Sequence, residues 1–220
     1  MTIATWNLER LKYNREVVEI ISILENLNAD ILVLTEYDEK VELKNYPFQI
    51  ATKNLAELEP EYYKQTEKRV KIYSKYEIVN QFQTYDEYTS CCAEIETQRG
   101  NLIVYGTIIG VYGNRNQNFK TDLPKQINDF NNLSTAQNFC IVGDYNISFS
   151  DNYYFTNFGR SELIKSFKEN KIENLTKNLS EVIDHIAMST AFIRGSHIES
   201  YEWNLDKKLS DHKGIRISLL

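Results

Sequence analysis

The chain has 220 residues, of which 42% are hydrophobic and 25% are charged, and its formal net charge is −6. These values are ordinary for a globular protein, and the acidic balance excludes a protein that coats nucleic acid through charge alone. Three cysteines cannot form an even disulfide framework, and no apolar run reaches the about 18 residues of a membrane span. The chain begins with no secretory signal, so we expect a cytoplasmic protein with no membrane span and no obligatory protein partner, folded as one domain over residues 1–220.

The first part of the chain alternates between apolar strands and one amphipathic helix. Residues 2–6 and 31–34 are short apolar runs and predict strands, and each run is followed by polar residues. Between them, residues 15–26 place apolar side chains on one helical face, with Asn14 as the N-cap. Strand, helix and strand in this order indicate a βαβ-like opening, whose strands are parallel if they share a sheet.

The rest of the chain is richer in strands. Strands are predicted over residues 48–51, 70–73, 77–84, 139–142, 182–188, 193–203 and 214–220. Residues 91–97 and 101–109 predict a hairpin around Gly100. Two helices are predicted, one from an Asp122 cap to residue 133 with Pro124 in its first turn, and one over residues 161–170.

Polar side chains stand in or beside the ends of several predicted strands. They are Asn7, Glu36, Asp144, Asn146, Asp184, Asp211 and His212. If the carboxylates converge, a divalent cation relieves their repulsion, and oxygen ligands of this kind suit Mg²⁺ or Mn²⁺. A histidine adds a group that holds or moves a proton near neutral pH. These are the parts needed for metal-assisted hydrolysis of a phosphoester.

Six segments carry a resemblance to a known family, in family order. They are residues 5–8 (Thr-Trp-Asn-Leu), 29–36 (Ala-Asp-Ile-Leu-Val-Leu-Thr-Glu), 70–75 (Val-Lys-Ile-Tyr-Ser-Lys), 142–146 (Val-Gly-Asp-Tyr-Asn), 183–186 (Ile-Asp-His-Ile) and 209–212 (Leu-Ser-Asp-His). The sequence resembles the endonuclease/exonuclease/phosphatase, or deoxyribonuclease-like, superfamily. The resemblance implies an α/β (α+β) fold, a four-layered sandwich of two facing mixed β-sheets flanked by helices.

The resemblance also implies roles for the residues that match. Glu36 is the principal metal ligand, with Asn7 nearby and Asp211 as a further ligand, and Mg²⁺ or Mn²⁺ is the implied cofactor. Asp144 orients or deprotonates the attacking water, and Asn146 helps to bind the phosphate. His212 contacts the scissile phosphate and Asp184 holds it in position. The sequence leaves open whether Asp144 or His212 is the base.

Three further residues are predicted to bind substrate. Relatives place a phosphate-contacting His or Tyr where this chain has Ile108, and Tyr112 is the candidate replacement. Arg115 lies in a loop that approaches substrate in relatives. Lys75 belongs to a basic stretch interleaved with tyrosines, a composition that suits single-stranded or distorted nucleic acid.

The first functional prediction is therefore a metal-dependent phosphoesterase, a nuclease that hydrolyses phosphodiester bonds of DNA or RNA. A phosphatase or phosphodiesterase acting on inositol, lipid or other small phosphoesters is the alternative within enzymes. A non-catalytic binding module that kept the fold is the alternative of another class.

Overall fold

The computed structural model describes residues 1–12, 17–134 and 138–220. Its strands are β1 (Thr2–Asn7), β2 (Ile31–Asp38), β3 (Phe48–Ala51), β4 (Glu67–Ser74), β5 (Ile78–Phe82), β6 (Ser90–Thr97), β7 (Gly100–Ile108), β8 (Phe139–Asp144), β9 (Ile172–Asn174), β10 (Asp184–Ser189), β11 (Ile198–Trp203) and β12 (Gly214–Leu219). Its helices are α1 (Val17–Leu27), α2 (Gln117–Ser134) and α3 (Asn157–Glu169). Two single turns of 3₁₀ helix cover Glu9–Leu11 and Leu55–Glu57.

The strands form two six-stranded sheets. The first has the order β11-β12-β1-β2-β4-β3, and the second has the order β5-β6-β7-β8-β10-β9. Each sheet is mixed, because β1 is parallel to β2 and β7 is parallel to β8, whereas the other neighbours are antiparallel. The parallel pairing of β1 with β2 confirms the expected βαβ-like opening.

The pleat of the strands divides the core into three layers of side chains. Along β2, Val33 packs between the two sheets, whereas Leu32 and Leu34 pack on the outer face with α1. On the outer face of the second sheet, side chains such as Phe119 of α2 and Leu163 of α3 form the third cluster. Because both faces of each sheet are covered, its central strands read as continuous apolar runs. This arrangement confirms the predicted four-layered α/β sandwich.

The helix boundaries differ from the prediction. α2 begins at Gln117, and Pro124 lies inside it rather than in its first turn. Asp122 does not cap the helix, because its carboxylate accepts hydrogen bonds from Gly110 N (2.7 Å) and Gln126 Nε2 (3.3 Å). The predicted cap Asn14 and the helix residues 15–16 lie outside the described residues.

α3 begins earlier than predicted, at Asn157. Thr156 is its N-cap, with extended backbone and a hydroxyl that accepts from Gly159 N at 3.1 Å. β11 is shorter than the predicted strand, since Ile193 packs into the core from a turn and the strand begins at Ile198. Within the described part of the chain, none of the helices combines the length and apolarity that a membrane crossing needs.

Candidate active site

The ends of four strands from both sheets meet at one edge of the sandwich. In the first sheet, Asn7 at the end of β1 is paired with Thr35 of β2, directly before Glu36. In the second sheet, Asp144 at the end of β8 is paired with Asp184 at the start of β10. Asn7 Nδ2 donates a hydrogen bond to Asp144 Oδ2 at 3.2 Å. This bond joins the two sheets where the polar residues cluster.

The backbone after β8 holds Asp144 and Asn146 in a fixed turn. Gly143 has φ +133°, and a Cβ at this position would collide with the carbonyl oxygen of Thr107, so glycine permits the close approach. Asn146 N donates to Asp144 Oδ1 at 2.8 Å, and Asn146 Nδ2 donates to Ile109 O at 3.0 Å. Both side chains are therefore oriented by bonds to the main chain.

His212 and Asp184 form a buried hydrogen-bonded pair. His212 Nδ1 lies 2.5 Å from Asp184 Oδ2. The carbonyl oxygen of His212 accepts from Trp6 Nε1 at 3.0 Å and from Asn204 Nδ2 at 2.7 Å. The carboxylate of Asp211 lies 3.4 Å from His212 Nε2, and this side chain is 67% exposed. The imidazole is thus held from its Nδ1 side, and its Nε2 side faces Asp211.

The charges at this edge perturb each other. Burial raises the pKa of Asp144, and the carboxylate of Asp184 raises it further, to about 7. Burial lowers the pKa of His212, but Asp184 outweighs it through its charge and its hydrogen bond and raises that pKa to about 10. The two opposed carboxylates of Asp144 and Asp184 would repel each other, so the imidazolium of His212, which interacts with the charge of both, stabilises the arrangement.

Glu36 stands at the edge of this cluster. Its backbone has φ +43°, a left-handed conformation that is uncommon for a non-glycine residue and that turns the side chain out of the regular ladder. Its carboxylate is 24% exposed and lies 3.4 Å from Arg10 Nε. The Glu36 carboxylate therefore already attracts one positive charge, the guanidinium group of Arg10.

The residues at Glu36 fit a hard divalent cation that keeps most of its water. Within residues 1–12, 17–134 and 138–220, no three His, Cys, Asp or Glu side chains are grouped as a closed metal cage. Mg²⁺ characteristically binds through one or two carboxylates, retains several waters and takes further ligands from substrate phosphates. The donors at this edge are the Glu36 carboxylate and the Asn7 carboxamide oxygen, which also accepts from Glu9 N at 2.9 Å. This oxygen-only set suits Mg²⁺ or Mn²⁺.

The structure adds residues that sequence reasoning missed. Glu9, Arg10 and Leu11 all have left-handed backbone, with φ between 48° and 53°. The Glu9 carboxylate accepts from Asp211 N at 2.9 Å, so this strained turn ties the end of β1 to the segment before β12. Strain of this kind is concentrated at functional sites. The signal in the sequence that could have identified this turn is the charged pair Glu9 and Arg10, directly after residues 5–8.

The loop after β7 is also anchored at the site. Asn114 is buried, and its Nδ2 donates to Asn146 O at 2.7 Å. Arg115 follows it and is exposed, and Tyr112 lies beside Tyr63. Ile108 is buried in the core between the sheets. The structure thus puts Tyr112 and Arg115 in a loop that is bonded to Asn146.

Lys75 does not belong to this site, contrary to the prediction. Ser74 is paired with Ile31, which begins β2, whereas Glu36 lies near the end of that strand, roughly 17 Å farther along at the usual strand rise. Lys75 Nζ donates instead to Asn28 O at 2.7 Å. The basic stretch runs along β4, and strand geometry carries its last lysine to the opposite edge.

A cavity of about 360 Å³ opens beside His212. Its walls include Asn146, Asp184 and His212, together with Tyr153 and Tyr154 from the loop before α3. Tyr153 is half exposed, and its hydroxyl accepts from Lys207 Nζ at 2.9 Å. Three of the four predicted catalytic residues therefore line a cavity with an aromatic wall, and Asp144 lies outside its lining.

His185 faces away from this cavity and makes the stability of the fold depend on pH. It is fully buried, with Nε2 2.8 Å from Ile147 O and Nδ1 2.7 Å from Thr176 Oγ1. A carbonyl only accepts, so Nε2 carries the proton, and Nδ1 accepts from the hydroxyl. Burial lowers the pKa of His185 from 6.5 to about 4. The folded protein therefore binds fewer protons than the unfolded chain between these values, and stability is lost as the pH falls through this window.

We expect His185 alone to reduce the free energy of unfolding by about 2 kcal/mol between about pH 7.5 and about pH 5. Denaturant unfolding of the wild type and of His185→Gln at both pH values measures this contribution. We expect His185→Gln to be less stable than the wild type at neutral pH but to lose less of its free energy of unfolding on acidification. Equal losses in the two proteins would show that His185 is not the titrating group.

Comparisons with known proteins agree with the fold. The chain matches the family model described as the Endonuclease/Exonuclease/phosphatase family over residues 4–212. It is similar to the structure of an AP endonuclease from Archaeoglobus fulgidus, with a TM-score of 0.73 at 14% identity, covering 100% of this chain and 99% of that chain. It is also similar to an endonuclease/exonuclease/phosphatase from Beutenbergia cavernae, with a TM-score of 0.72 at 13% identity, covering 100% of this chain and 71% of that chain.

A third similar structure is a humanized TDP2 of D. rerio, with a TM-score of 0.69 at 13% identity, covering 100% of this chain and 98% of that chain. Comparison with curated proteins gave no match. At such identities the similar structures support the fold alone, whereas the family model matches nearly the whole sequence. The chain therefore belongs to the endonuclease/exonuclease/phosphatase family, whose members act on phosphoester bonds.

Proposed function

We propose that this protein is a metal-dependent phosphoesterase, and specifically a nuclease that hydrolyses phosphodiester bonds of DNA or RNA. The observation that carries the proposal is the series Asn7, Asp144, Asp184 and His212, which crosses from one sheet to the other. Hydrogen bonds join Asn7 to Asp144 and His212 to Asp184, and Asp144 and Asp184 are opposed in the β-ladder. A series that joins two sheets by polar contacts replaces apolar packing at that edge, and such a choice is typical of functional sites.

In this proposal Asp144 aligns and deprotonates the attacking water. Its two oxygens are already oriented by Asn7 Nδ2 and Asn146 N, which leaves the remaining lone pairs for a water. Asn146 helps to bind the phosphate. His212 donates from Nε2 to the scissile phosphate, and Asp184 is a positioning residue that holds Nδ1.

Glu36 and Asn7 are the proposed ligands of Mg²⁺ or Mn²⁺, with Asp211 as a further ligand. A cation held by these residues would supply Lewis-acid polarisation of a phosphoryl oxygen and would offset negative charge. Arg115 and Tyr112 are proposed substrate contacts, because their loop is bonded to Asn146 through Asn114.

A phosphatase or phosphodiesterase acting on a small phosphoester is the second candidate. The cavity of about 360 Å³ beside His212 supports it, since this volume is in the range of small-molecule sites. A non-catalytic module is disfavoured, because an unused site has no need to keep Asp184 and His212 hydrogen-bonded out of water.

A cleavage panel tests the proposal. It contains single- and double-stranded DNA, abasic DNA, RNA, inositol phosphates and sphingomyelin, each with Mg²⁺, with Mn²⁺ and with EDTA. We expect metal-dependent cleavage of nucleic acid, loss of activity in EDTA and recovery when Mg²⁺ or Mn²⁺ is added in excess. Cleavage of inositol phosphates alone selects the second candidate. If no substrate is cleaved in the presence of metal, the assignment of the protein as an enzyme is contradicted.

A further inference from the structure

Arg69 lies directly across the β-ladder from Glu36. Thr35 is paired with Val70 and Tyr37 with Lys68, so the position between these pairs places Glu36 opposite Arg69. The left-handed backbone of Glu36 turns its side chain out of the regular ladder, so the register fixes the adjacency of the two positions and not a contact between the two side chains. The register therefore puts an arginine on the strand next to the proposed metal ligand.

A local irregularity of β4 accompanies this position. The main-chain N–H groups of Arg69 and Val70 both donate to Thr52 Oγ1, at 3.1 and 3.2 Å. One side-chain oxygen thus serves two successive N–H groups, which a regular strand would direct to opposite sides. The hydrogen bonding of β4 is therefore irregular at Arg69, and the backbone of β2 is irregular at Glu36, which lies opposite.

The guanidinium group of Arg69 is buried, and no carboxylate in the described part of the chain contacts it directly. Arg69 is only 7% exposed, and no carboxylate of the described residues lies within the 4.0 Å of an ion pair. Arg69 Nη2 donates to Tyr63 Oη at 3.1 Å, and the group lies 5.5 Å from the centre of that ring. Its charge also acts on Asp122, where it opposes the rise in pKa that burial causes. A buried charge whose direct partner is a neutral hydroxyl is poorly compensated, and this favours a ligand of opposite charge.

Tyr63 connects Arg69 to a second arginine at the site. Arg10 lies 5.2 Å from the centre of the same ring and 3.4 Å from Glu36. The guanidinium groups of Arg10 and Arg69 thus flank the Tyr63 ring, and that of Arg10 also contacts Glu36, the proposed metal ligand. A cation held by Glu36 would add to the positive charge there.

Arg69 also lines a cavity of about 280 Å³ that adjoins the catalytic turn. Gly110 lies in its wall, and Gly110 O accepts from Asn146 Nδ2 at 3.2 Å. The carboxylates in the wall are Glu59, Asp86 and Asp122. Asp86 accepts from Tyr88 N, Asp122 accepts from Gly110 N, and Glu59 is exposed at the rim. Asp86 and Asp122 are thus bonded to main-chain N–H groups, and Asp122 also interacts with the charge of Arg69.

We propose that Arg69, assisted by Arg10 across Tyr63, binds a second phosphate group of the substrate, next to the phosphate under attack. This inference rests on the proposed function and names its substrate class: a compound with neighbouring phosphates, such as a nucleic-acid strand. A planar guanidinium group suits the bidentate recognition of a phosphate. A phosphodiester that carries a cationic headgroup instead is disfavoured, because two arginines repel it.

Binding measurements test the subsite without requiring catalysis. We expect the wild type, with Mg²⁺, to bind thymidine 3′,5′-bisphosphate about tenfold more tightly than thymidine 5′-monophosphate, the effect of one charge-assisted contact. Arg69→Gln is expected to lose most of this preference, and Arg69→Lys to keep part of it through its charge. The matched control is Arg216→Gln, because Arg216 lies 5.1 Å from the Tyr201 ring and near Leu27, away from Glu36. Calorimetry at one salt concentration supplies the dissociation constants.

Kinetic measurements distinguish a nucleic-acid strand from a small polyphosphate as the compound that carries the second phosphate. Dithymidine monophosphate is compared with its 5′- and 3′-phosphorylated forms, and inositol 1-phosphate with inositol 1,4-bisphosphate. A lower KM for a phosphorylated dinucleotide assigns the subsite to a strand, and a gain restricted to inositol assigns it to a small polyphosphate.

The inference is overturned if the wild type binds both thymidine nucleotides equally, or if Arg69→Gln and Arg69→Lys both keep the full preference. Cleavage of dithymidine monophosphate in either case leaves the proposed function standing. If the preference is present but no substrate is cleaved, the proposed function fails and the subsite stands.

Discussion

Asp144→Asn is expected to lower kcat/KM for a phosphodiester by about 10³-fold, because the amide keeps the shape of the carboxylate but cannot take a proton from water. The fold should survive, since an Asn carboxamide oxygen still accepts from Asn146 N, and the bond that Asn7 Nδ2 makes to the second oxygen of Asp144 is the single one lost. The substitution also removes one of two opposed carboxylates, so we expect no loss of thermal stability. Initial rates with saturating Mg²⁺, together with thermal unfolding, check both statements.

Asp129→Asn is the matched control for this substitution. Asp129 lies on α2 and accepts from Tyr85 N and from Tyr105 Oη, both at 2.9 Å, far from the strand ends that form the site. We expect it to change stability but not the chemical step. Wild-type kcat/KM in purified, folded Asp144→Asn protein would remove Asp144 from the mechanism.

His212→Ala is expected to reduce kcat by about 10² to 10⁴-fold, because it removes the proposed donor to the phosphate. Asp184→Asn should reduce kcat less, since the imidazole remains and loses only the negative charge of the partner 2.5 Å from its Nδ1. The double variant should be no worse than His212→Ala, because Asp184 acts through the histidine and the two effects are not additive. Steady-state kinetics of the three variants measure this coupling.

His197→Ala serves as the control, because His197 is exposed and its one recorded ionic contact is with Glu199 at 3.5 Å. A purely structural role for Asp184 predicts a loss in the double variant equal to the product of the single losses. The pH dependence of kcat provides a second readout. It should shift in Asp184→Asn only if Asp184 sets the protonation of His212.

Local chemistry in the sequence is enough to predict most strands and the residues at their ends. Ile31 to Leu34 and Phe139 to Val142 are continuous apolar runs because both faces of those strands are buried, and such runs are recognisable without a structure. The polar residues that follow them are conspicuous for the same reason. The helix starts were harder to predict, since Asp122 has the composition of a cap but bonds to Gly110 across a loop.

Lys75 and Arg69 show where reasoning from the sequence fails. Both belong to one basic stretch, and composition cannot distinguish them. The register of β4 against β2 carries Lys75 to Asn28 at one edge of the sheet and Arg69 to a place opposite Glu36 near the other edge. Register is a property of paired strands, so it is absent from either strand alone.

The sequence by itself determined most strands and the candidate residues from Asn7 to His212, because apolar periodicity and short motifs are local properties, and the resemblance carried by those motifs implied the family and its four-layered architecture. Only the tertiary structure decided that Asn7 contacts Asp144 across two sheets, that Glu9 holds the segment carrying Asp211, and that Arg69 is buried on the strand next to Glu36 with no carboxylate of the described residues in direct contact. These are contacts between residues far apart in the chain. They exist only after the packing of the two sheets has brought their strand ends to one edge.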